Sequence, residues 1–388
     1  MDAMRRIHWK RIVVAMRSSI IRRVSLCAGL ALSVMGAASH SSPAFNAEHA
    51  IDELVTSALT KNNIPGISIA IVEGGHIVYA KGFGTISLTT ERRPSADTQY
   101  RLASVSKPLT ATGVFQLVQD GKVKLDEPAR QYCPDLAVLD GTPTVRQFLM
   151  HRSGMRHTTD REDVTITGAF PRVGAALVNI VREPLRFPPG TKTLYTSWGY
   201  TALGCVIEGA SGRSYADFMK ERVFAIAGMT ATAFDSPTYD SPAFSPGYRR
   251  GLIYGLRPSL VVDTRFKTPS SGIISTANDL ARFAIALLDR RLVTETTAIE
   301  MFSVRPDADG RGVFTAGWSV DSTGLSKGGK TPYGQAFDFN GSMEGATAYL
   351  DLVPVRRYAV ALLANRERSV LQVQPIIAET RRLVLKAR

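Results

Sequence analysis

The stretch Arg101-Leu102-Ala103-Ser104-Val105-Ser106-Lys107 ends a polar segment and opens an apolar one whose hydrophobic residues recur at helical spacing. If a helix begins near Ser104, then Ser104 and Lys107 lie one turn apart on the same face. Pro108 then falls in the first turn, where proline is tolerated. A serine becomes a good nucleophile when a neighbouring base takes its proton, and a lysine with a lowered pKa is such a base. The stretch therefore predicts a nucleophile and its base, although alone it also suits a capping serine and a solvated lysine.

Length and charge narrow the class of protein. The chain has 388 residues, of which 44% are hydrophobic, enough for one large core or two smaller ones. The formal charge is +13, but residues 1–44 contain seven basic residues and one acid, which leaves +7 for the remainder. That remainder has no basic block, so no nucleic-acid partner is expected.

The first 44 residues have the order of a secretory signal. Basic residues precede an apolar run at 24–38, and small residues follow it. The run is short for a membrane span, so we expect export to the periplasm or medium with cleavage between residues 38 and 46. An uncleaved anchor, which would be the protein's only membrane contact, and an organelle transit peptide are the alternatives. Cys133 and Cys205 would remain, either paired or as two buried thiols.

The predicted elements alternate in a way that indicates two domains. Helices are expected at 47–61, 277–288 and 370–385, and strands at 67–72, 76–82, 317–321, 346–353 and 357–364. The middle of the chain is mainly helical. This order predicts an α/β domain of residues 45–115 and 235–388, interrupted by a helical domain of residues 116–234.

Two other motifs overlap in one segment. Gly324 to Gly328 has the Gly-x-Ser-x-Gly pattern of a nucleophile elbow, but every histidine lies at or before His157, whereas the elbow needs a later one. Residues 324–331 also match a phosphate-binding loop, which requires a helix directly after it, and Pro332 follows instead. We expect a flexible loop between strands. No His-x-x-x-His or Cys-x-x-Cys pair supports a metal, and His151 is expected to anchor a turn.

Further motifs accompany Ser104 and Lys107 in a consistent order. Phe187-Pro188-Pro189-Gly190 leads into Tyr195-Thr196-Ser197, and Phe339-Asn340-Gly341-Ser342 precedes a predicted strand. With the framework segments 65–68, 149–154 and 270–276, they resemble the serine β-lactamase and penicillin-binding-protein superfamily over residues 64–365. The likeness is greatest to class C β-lactamases, related esterases and D-aminopeptidases, and mitochondrial β-lactamase-like serine proteases. The resemblance implies an antiparallel sheet flanked by helices with an inserted all-α domain.

The resemblance also implies roles for particular residues. Ser104 corresponds to the acylated nucleophile, Lys107 to the group that assists its deprotonation, and Tyr195 to a partner in acid–base work whose pKa a nearby lysine is expected to lower. The backbone N–H groups of Ser104 and Ser342 correspond to the oxyanion hole. No metal or organic cofactor is implied.

Two substrate-binding positions depart from the family pattern. Ser197 stands where an asparagine is common, which shortens a polar arm expected to reach the lysine and the substrate amide. Phe339, aligned through Asn340 and Gly341, stands where a lysine or histidine is usual and weakens the contact with a substrate carboxylate. The sequence therefore predicts an exported serine hydrolase that forms an acyl-enzyme on Ser104 with small-molecule or peptide-like ester or amide substrates. A true β-lactamase or D,D-peptidase and a weakly catalytic binding protein are the alternatives.

Overall fold

A computed structural model describes residues 45–90, 92–251, 255–306, 313–321 and 330–386. The helices in these ranges are α1 (Glu48–Asn62), α2 (Ser106–Gln119), α3 (Val145–Leu149), α4 (Asp160–Thr165), α5 (Ser197–Ser211), α6 (Tyr215–Met219), α7 (Thr268–Ser271), α8 (Ala277–Leu288), α9 (Glu295–Phe302) and α10 (Val370–Lys386). The strands are β1 (Gly66–Glu73), β2 (His76–Gly84), β3 (Tyr100–Arg101), β4 (Ala233–Phe234), β5 (Tyr248–Arg250), β6 (Leu256–Pro258), β7 (Ile273–Ser275), β8 (Ser319–Val320), β9 (Lys330–Thr331), β10 (Gly334–Gln335), β11 (Phe337–Met343), β12 (Ala346–Val353) and β13 (Tyr358–Ala364).

The main sheet has six strands in the order β2-β1-β13-β12-β11-β8, and every neighbouring pair is antiparallel. The central strands β12 and β13 are buried along their whole length. Alternate residues of β13 belong to two hydrophobic clusters, because successive side chains of a strand point to opposite faces. One cluster lies under the terminal helices α1 and α10, and the other contains residues of α2, α5 and α8. Burial on both faces explains why these strands are continuously apolar in sequence.

The small sheet β3-β7-β4 holds the segment that precedes Ser104. Tyr100 pairs with Ser275, Arg101 pairs with Ile274, and the Leu102 N–H donates to the Ile273 carbonyl at 2.8 Å. These backbone bonds fix where the chain leaves the strand and starts its helical turn. The nucleophile stretch is therefore anchored by residues about 170 positions later in the chain.

Between β3 and β4, every regular element except isolated bridges is helical, as the sequence indicates. One hydrophobic cluster contains residues of this helical segment together with residues of β12 and β13. The described residues from Phe45 onward accordingly form one compact unit. The division at 116 and 234 stays a prediction.

The long elements confirm their predictions within a few residues. The helix α8 is capped by Thr276, whose hydroxyl accepts the Asp279 N–H at 3.0 Å. The predicted strand at 317–321 is shorter than expected and includes only Ser319 and Val320. Most of the predicted loop at 324–331 lies outside the described residues, and its end, Lys330–Thr331, is strand β9, so no helix follows to bind phosphate. The predicted signal segment also lies outside them. Within the described ranges, no helix is both long and apolar enough to span a bilayer.

Candidate active site

Ser104 lies in a short 3₁₀ turn, Ala103–Val105, that runs directly into α2. Ala103 has φ of 47°, a left-handed conformation that costs energy for a residue with a side chain and is commonest at functional sites. Pro108 lies in the first turn of α2, where the missing N–H has no consequence. The predicted helix start near Ser104 is therefore confirmed.

Ser104 Oγ contacts two other predicted site residues. Lys107 Nζ lies 3.0 Å from it, and the Tyr195 hydroxyl donates a hydrogen bond to it at 2.6 Å. Tyr195 directly precedes Thr196, which caps α5 by accepting the Gly199 N–H. The helix cap thus fixes the backbone next to Tyr195, which lies 91 positions after Ser104 in the sequence.

Three oxygen atoms surround Lys107 Nζ, and none of them belongs to a carboxylate. Besides Ser104 Oγ, they are Ser197 Oγ at 3.4 Å and the Ser270 carbonyl oxygen at 3.0 Å. A neutral amine offers two N–H donors and one lone pair. In the neutral form, two N–H groups donate to Ser197 Oγ and the Ser270 carbonyl oxygen, and the lone pair faces the Ser104 hydroxyl.

Burial and charge support the neutral form. Lys107 is fully buried, and this burial lowers its pKa well below the usual value, with a further lowering from the Lys267 charge. Asp163, which forms an ion pair with Lys267, acts in the opposite direction. The ammonium form is disfavoured because the site offers it little solvation.

The expected lowering of the Tyr195 pKa is wrong. Burial raises the pKa of Tyr195, and the hydrogen bond to Ser104 opposes the effect only in part. A neutral Lys107 offers no ammonium charge to stabilise a phenolate. Tyr195 is therefore protonated and suited to donate a proton, whereas Lys107 is suited to accept one.

The third motif lies on β11, next to the nucleophile turn. A Cβ added to Gly341 would lie 2.8 Å from the Ser104 backbone nitrogen and 2.5 Å from the Leu102 oxygen, so only glycine allows this approach. Ser342 follows on the same strand, and its Oγ accepts the Arg368 N–H at 2.9 Å. The oxyanion hole stays a prediction, and Gly341 allows the strand that carries Ser342 to lie against the backbone of Ser104.

Aromatic rings form one side of the site. Phe339 is buried on β11 with its ring centroid 6.4 Å from that of Tyr195, and Asn340 beside it is partly buried. Phe314, which the sequence reasoning missed, lies 6.1 Å from Tyr195 and 6.5 Å from Phe339, centroid to centroid. Phe314 and Phe339 therefore form an apolar cluster beside Tyr195.

Two histidines support the start of α5. His151 Nδ1 accepts the Thr196 N–H at 3.1 Å, and His157 Nδ1 accepts the Ser197 N–H at 3.0 Å. His151 is fully buried with φ of 57°, which agrees with its predicted role in a turn. Sequence reasoning missed His157 because no spacing pattern joins it to Ser197.

Cys133 and Cys205 are joined by a disulfide bond, which selects one of the two alternatives that the sequence left open. In the described part of the chain, these cysteines and Asp135 form the one cluster with metal-ligand geometry. Both sulfurs are consumed by the bond, and Asp135 is paired with Arg172. This cluster therefore offers a metal no complete ligand set.

An antiparallel sheet covered by helices, with a Ser-x-x-Lys turn facing a tyrosine, defines the serine β-lactamase and transpeptidase superfamily. The model of the Beta-lactamase family matches residues 51–379, and the chain belongs to that family. Its members include hydrolases of several kinds.

Individual proteins agree with this assignment. "Protein flp" of Staphylococcus aureus (strain NCTC 8325 / PS 47) is 23% identical over 82% of this chain, which spans 63% of that protein's length. Penicillin-binding protein 4* of Bacillus subtilis (strain 168) is 26% identical, with 80% of this chain and 70% of the relative covered. The solved D-amino acid amidase of Ochrobactrum anthropi SV3 superposes with a TM-score of 0.72 at 21% identity, covering 88% of this chain and 99% of the amidase.

Proposed function

We propose that the protein is an exported serine hydrolase that forms an acyl-enzyme on Ser104 with ester or amide substrates. The contact of Ser104 Oγ with both Lys107 Nζ and the Tyr195 hydroxyl is the observation that carries this proposal. A nucleophile next to a low-pKa amine and a protonated phenol has a base and an acid at hand.

The steps follow from the protonation states. Lys107 takes the Ser104 proton while Oγ forms a bond to the substrate carbonyl carbon. As the bond to the leaving group breaks, Tyr195 protonates that group and recovers a proton from Lys107. Water then attacks the carbonyl carbon of the ester on Ser104, and the water proton passes to Lys107 and Tyr195. The bond between that carbon and Ser104 Oγ breaks, Oγ takes a proton back from the same two residues, and the acid product is released. The N–H groups of Ser104 and Ser342 stabilise the oxyanion in both halves of the reaction.

The substrate class follows from position 339. A phenyl ring replaces the cation that would attract a carboxylate, and Phe314 extends the apolar surface. Such a surface favours uncharged acyl or leaving groups over penicillins and D-Ala-D-Ala termini, which carry a carboxylate. The D,D-peptidase alternative would require another cation for that group.

Export is supported by the order of charge and hydrophobicity in residues 1–44 and by the disulfide bond between Cys133 and Cys205. Disulfides persist mainly in oxidising compartments such as the periplasm or the medium. In fractionated cells we expect a form that begins between residues 38 and 46, outside the cytoplasm.

Intact-mass spectrometry after incubation with a fluorophosphonate, and separately with a penicillin, tests the chemistry. We expect a fluorophosphonate adduct that is lost in Ser104→Ala and retained in Ser106→Ala, whose hydroxyl only accepts the Ile273 N–H at 3.3 Å. A rapid, stoichiometric penicillin adduct would instead favour the β-lactamase or D,D-peptidase alternative. No adduct with either reagent would favour a binding protein without catalysis.

A further inference from the structure

His157 lies at the side of the site and has no role in the steps above. Its ring contacts the Tyr195 ring edge-on, with the centroids 5.1 Å apart, and its Nδ1 accepts the Ser197 N–H. His151 makes the equivalent bond to Thr196 but is fully buried, whereas His157 is exposed. His151 is therefore a structural support, whereas His157 also has a ring edge that solvent or substrate can reach.

The Ser197 bond determines the tautomer of His157. An imidazole nitrogen that accepts a backbone N–H carries no proton, so neutral His157 has its hydrogen on Nε2. The side of the ring packed against Tyr195 is desolvated, and this partial burial, together with the nearby charges of Lys107 and Lys267, lowers the pKa of His157 to about 4. At neutral pH the ring is uncharged, with a single N–H donor on the side opposite Ser197.

That donor is available. Among the residues that the structure describes, no group forms a hydrogen bond with His157 Nε2, while Nδ1 is occupied. The neighbouring Ser197 has a shorter side chain than the asparagine usual at this position, and its Oγ lies 3.4 Å from Lys107 Nζ. Ser197, where the polar arm is shortened, is thus bonded through its backbone N–H to His157, which has a spare donor.

We propose that His157 Nε2–H donates a hydrogen bond to a substrate carbonyl oxygen one amide unit from the scissile carbonyl. His157 is then a specificity-determining residue, and the enzyme favours N-acylated amino-acid or peptide-like acyl groups over plain alkanoyl groups. This inference rests on the proposed function, since it names the substrate class of the same site.

Two variants separate the substrate contact from the support of α5. In His157→Asn the side-chain amide reaches the place of Nδ1 and can accept the Ser197 N–H, but nothing replaces Nε2–H. In His157→Gln the longer side chain carries an amide N–H to the place of Nε2. The probes are the p-nitrophenyl esters of N-acetylglycine and pentanoic acid, whose acyl chains have equal length but differ in the amide.

We expect His157→Asn to lower kcat/KM about fivefold for the N-acetylglycine ester, the effect of one neutral hydrogen bond, and less than twofold for the pentanoate. His157→Gln should retain most of the preference. Equal losses on both esters, with a lower melting temperature, would overturn the proposal in favour of a purely structural histidine, and so would unchanged kinetics. A wild-type protein inactive on both esters would overturn it together with the proposed function.

Discussion

Gly341→Ala tests whether the close approach of β11 to the nucleophile turn is needed for catalysis. The added Cβ would lie 2.5 Å from the Leu102 oxygen, and ordinary contact begins at 3.4 Å, so the strand and the turn must separate by about 0.9 Å. A misplacement of about 1 Å at reacting groups costs on the order of 100-fold in rate. The overpacking itself is expected to cost about 1–3 kcal/mol of stability. We therefore expect a folded protein whose kcat/KM falls about 100-fold.

Gly66→Ala is the matched control. Its added Cβ would lie 2.4 Å from the Thr85 oxygen, a nearly identical clash in the same sheet, but against residues that do not contact Ser104. Both variants should lose a similar amount of stability in a thermal melt. Ester hydrolysis and the rate of fluorophosphonate labelling should fall in Gly341→Ala alone.

Equal activity loss in the two glycine variants would refute the reasoning, because general destabilisation would then explain the effect. Full activity in Gly341→Ala would also refute it, since the predicted oxyanion donors would tolerate a shift of the strand.

Three further predictions concern other parts of the site and fold. Lys267→Gln removes a cation that lowers the pKa of Lys107, so the acid limb of the pH profile of kcat/KM should move to higher pH; an unmoved limb would show that Lys267 has no influence on the base. Cys133→Ser opens a disulfide with a sequence separation of 72 residues and should cost about 4 kcal/mol in chemical denaturation. Cys205→Ser and the double variant should lose the same amount, and a reductant should lower the melting temperature of wild type only. Phe339→His restores a group able to bind a carboxylate and should lower KM for a carboxylate-bearing substrate but not for a neutral ester; an unchanged KM for the first substrate would contradict the role of position 339.

The long elements could be predicted because their causes are local. The α8 helix has a threonine cap, an aspartate in its first turn and a regular apolar stripe within 13 residues. The hairpin of β1 and β2 is defined by a glycine turn between apolar strands. The short strand β8 was overestimated, since its length depends on how many of its residues pair with β11.

The site was only partly predictable, because local sequence determines only part of it. Ser104 and Lys107 form a sequence pattern because a helix turn brings residues three apart together. Tyr195 was found through motif order and lies where that order implies, within hydrogen-bond distance of Ser104. Its protonation state was misjudged, because a pKa depends on burial and on charges that no local pattern records.

The sequence by itself therefore determined the helix start near Ser104, the family and the identities of three contacting residues, because each is expressed in short spacings or in their order. Only the tertiary structure decided that burial lowers the pKa of Lys107, that Cys133 pairs with Cys205, and that His157 has a spare donor. Each of these depends on side chains that come from distant positions in the chain. Solvation and electrostatic energy depend on distance in space, and folding alone sets that distance.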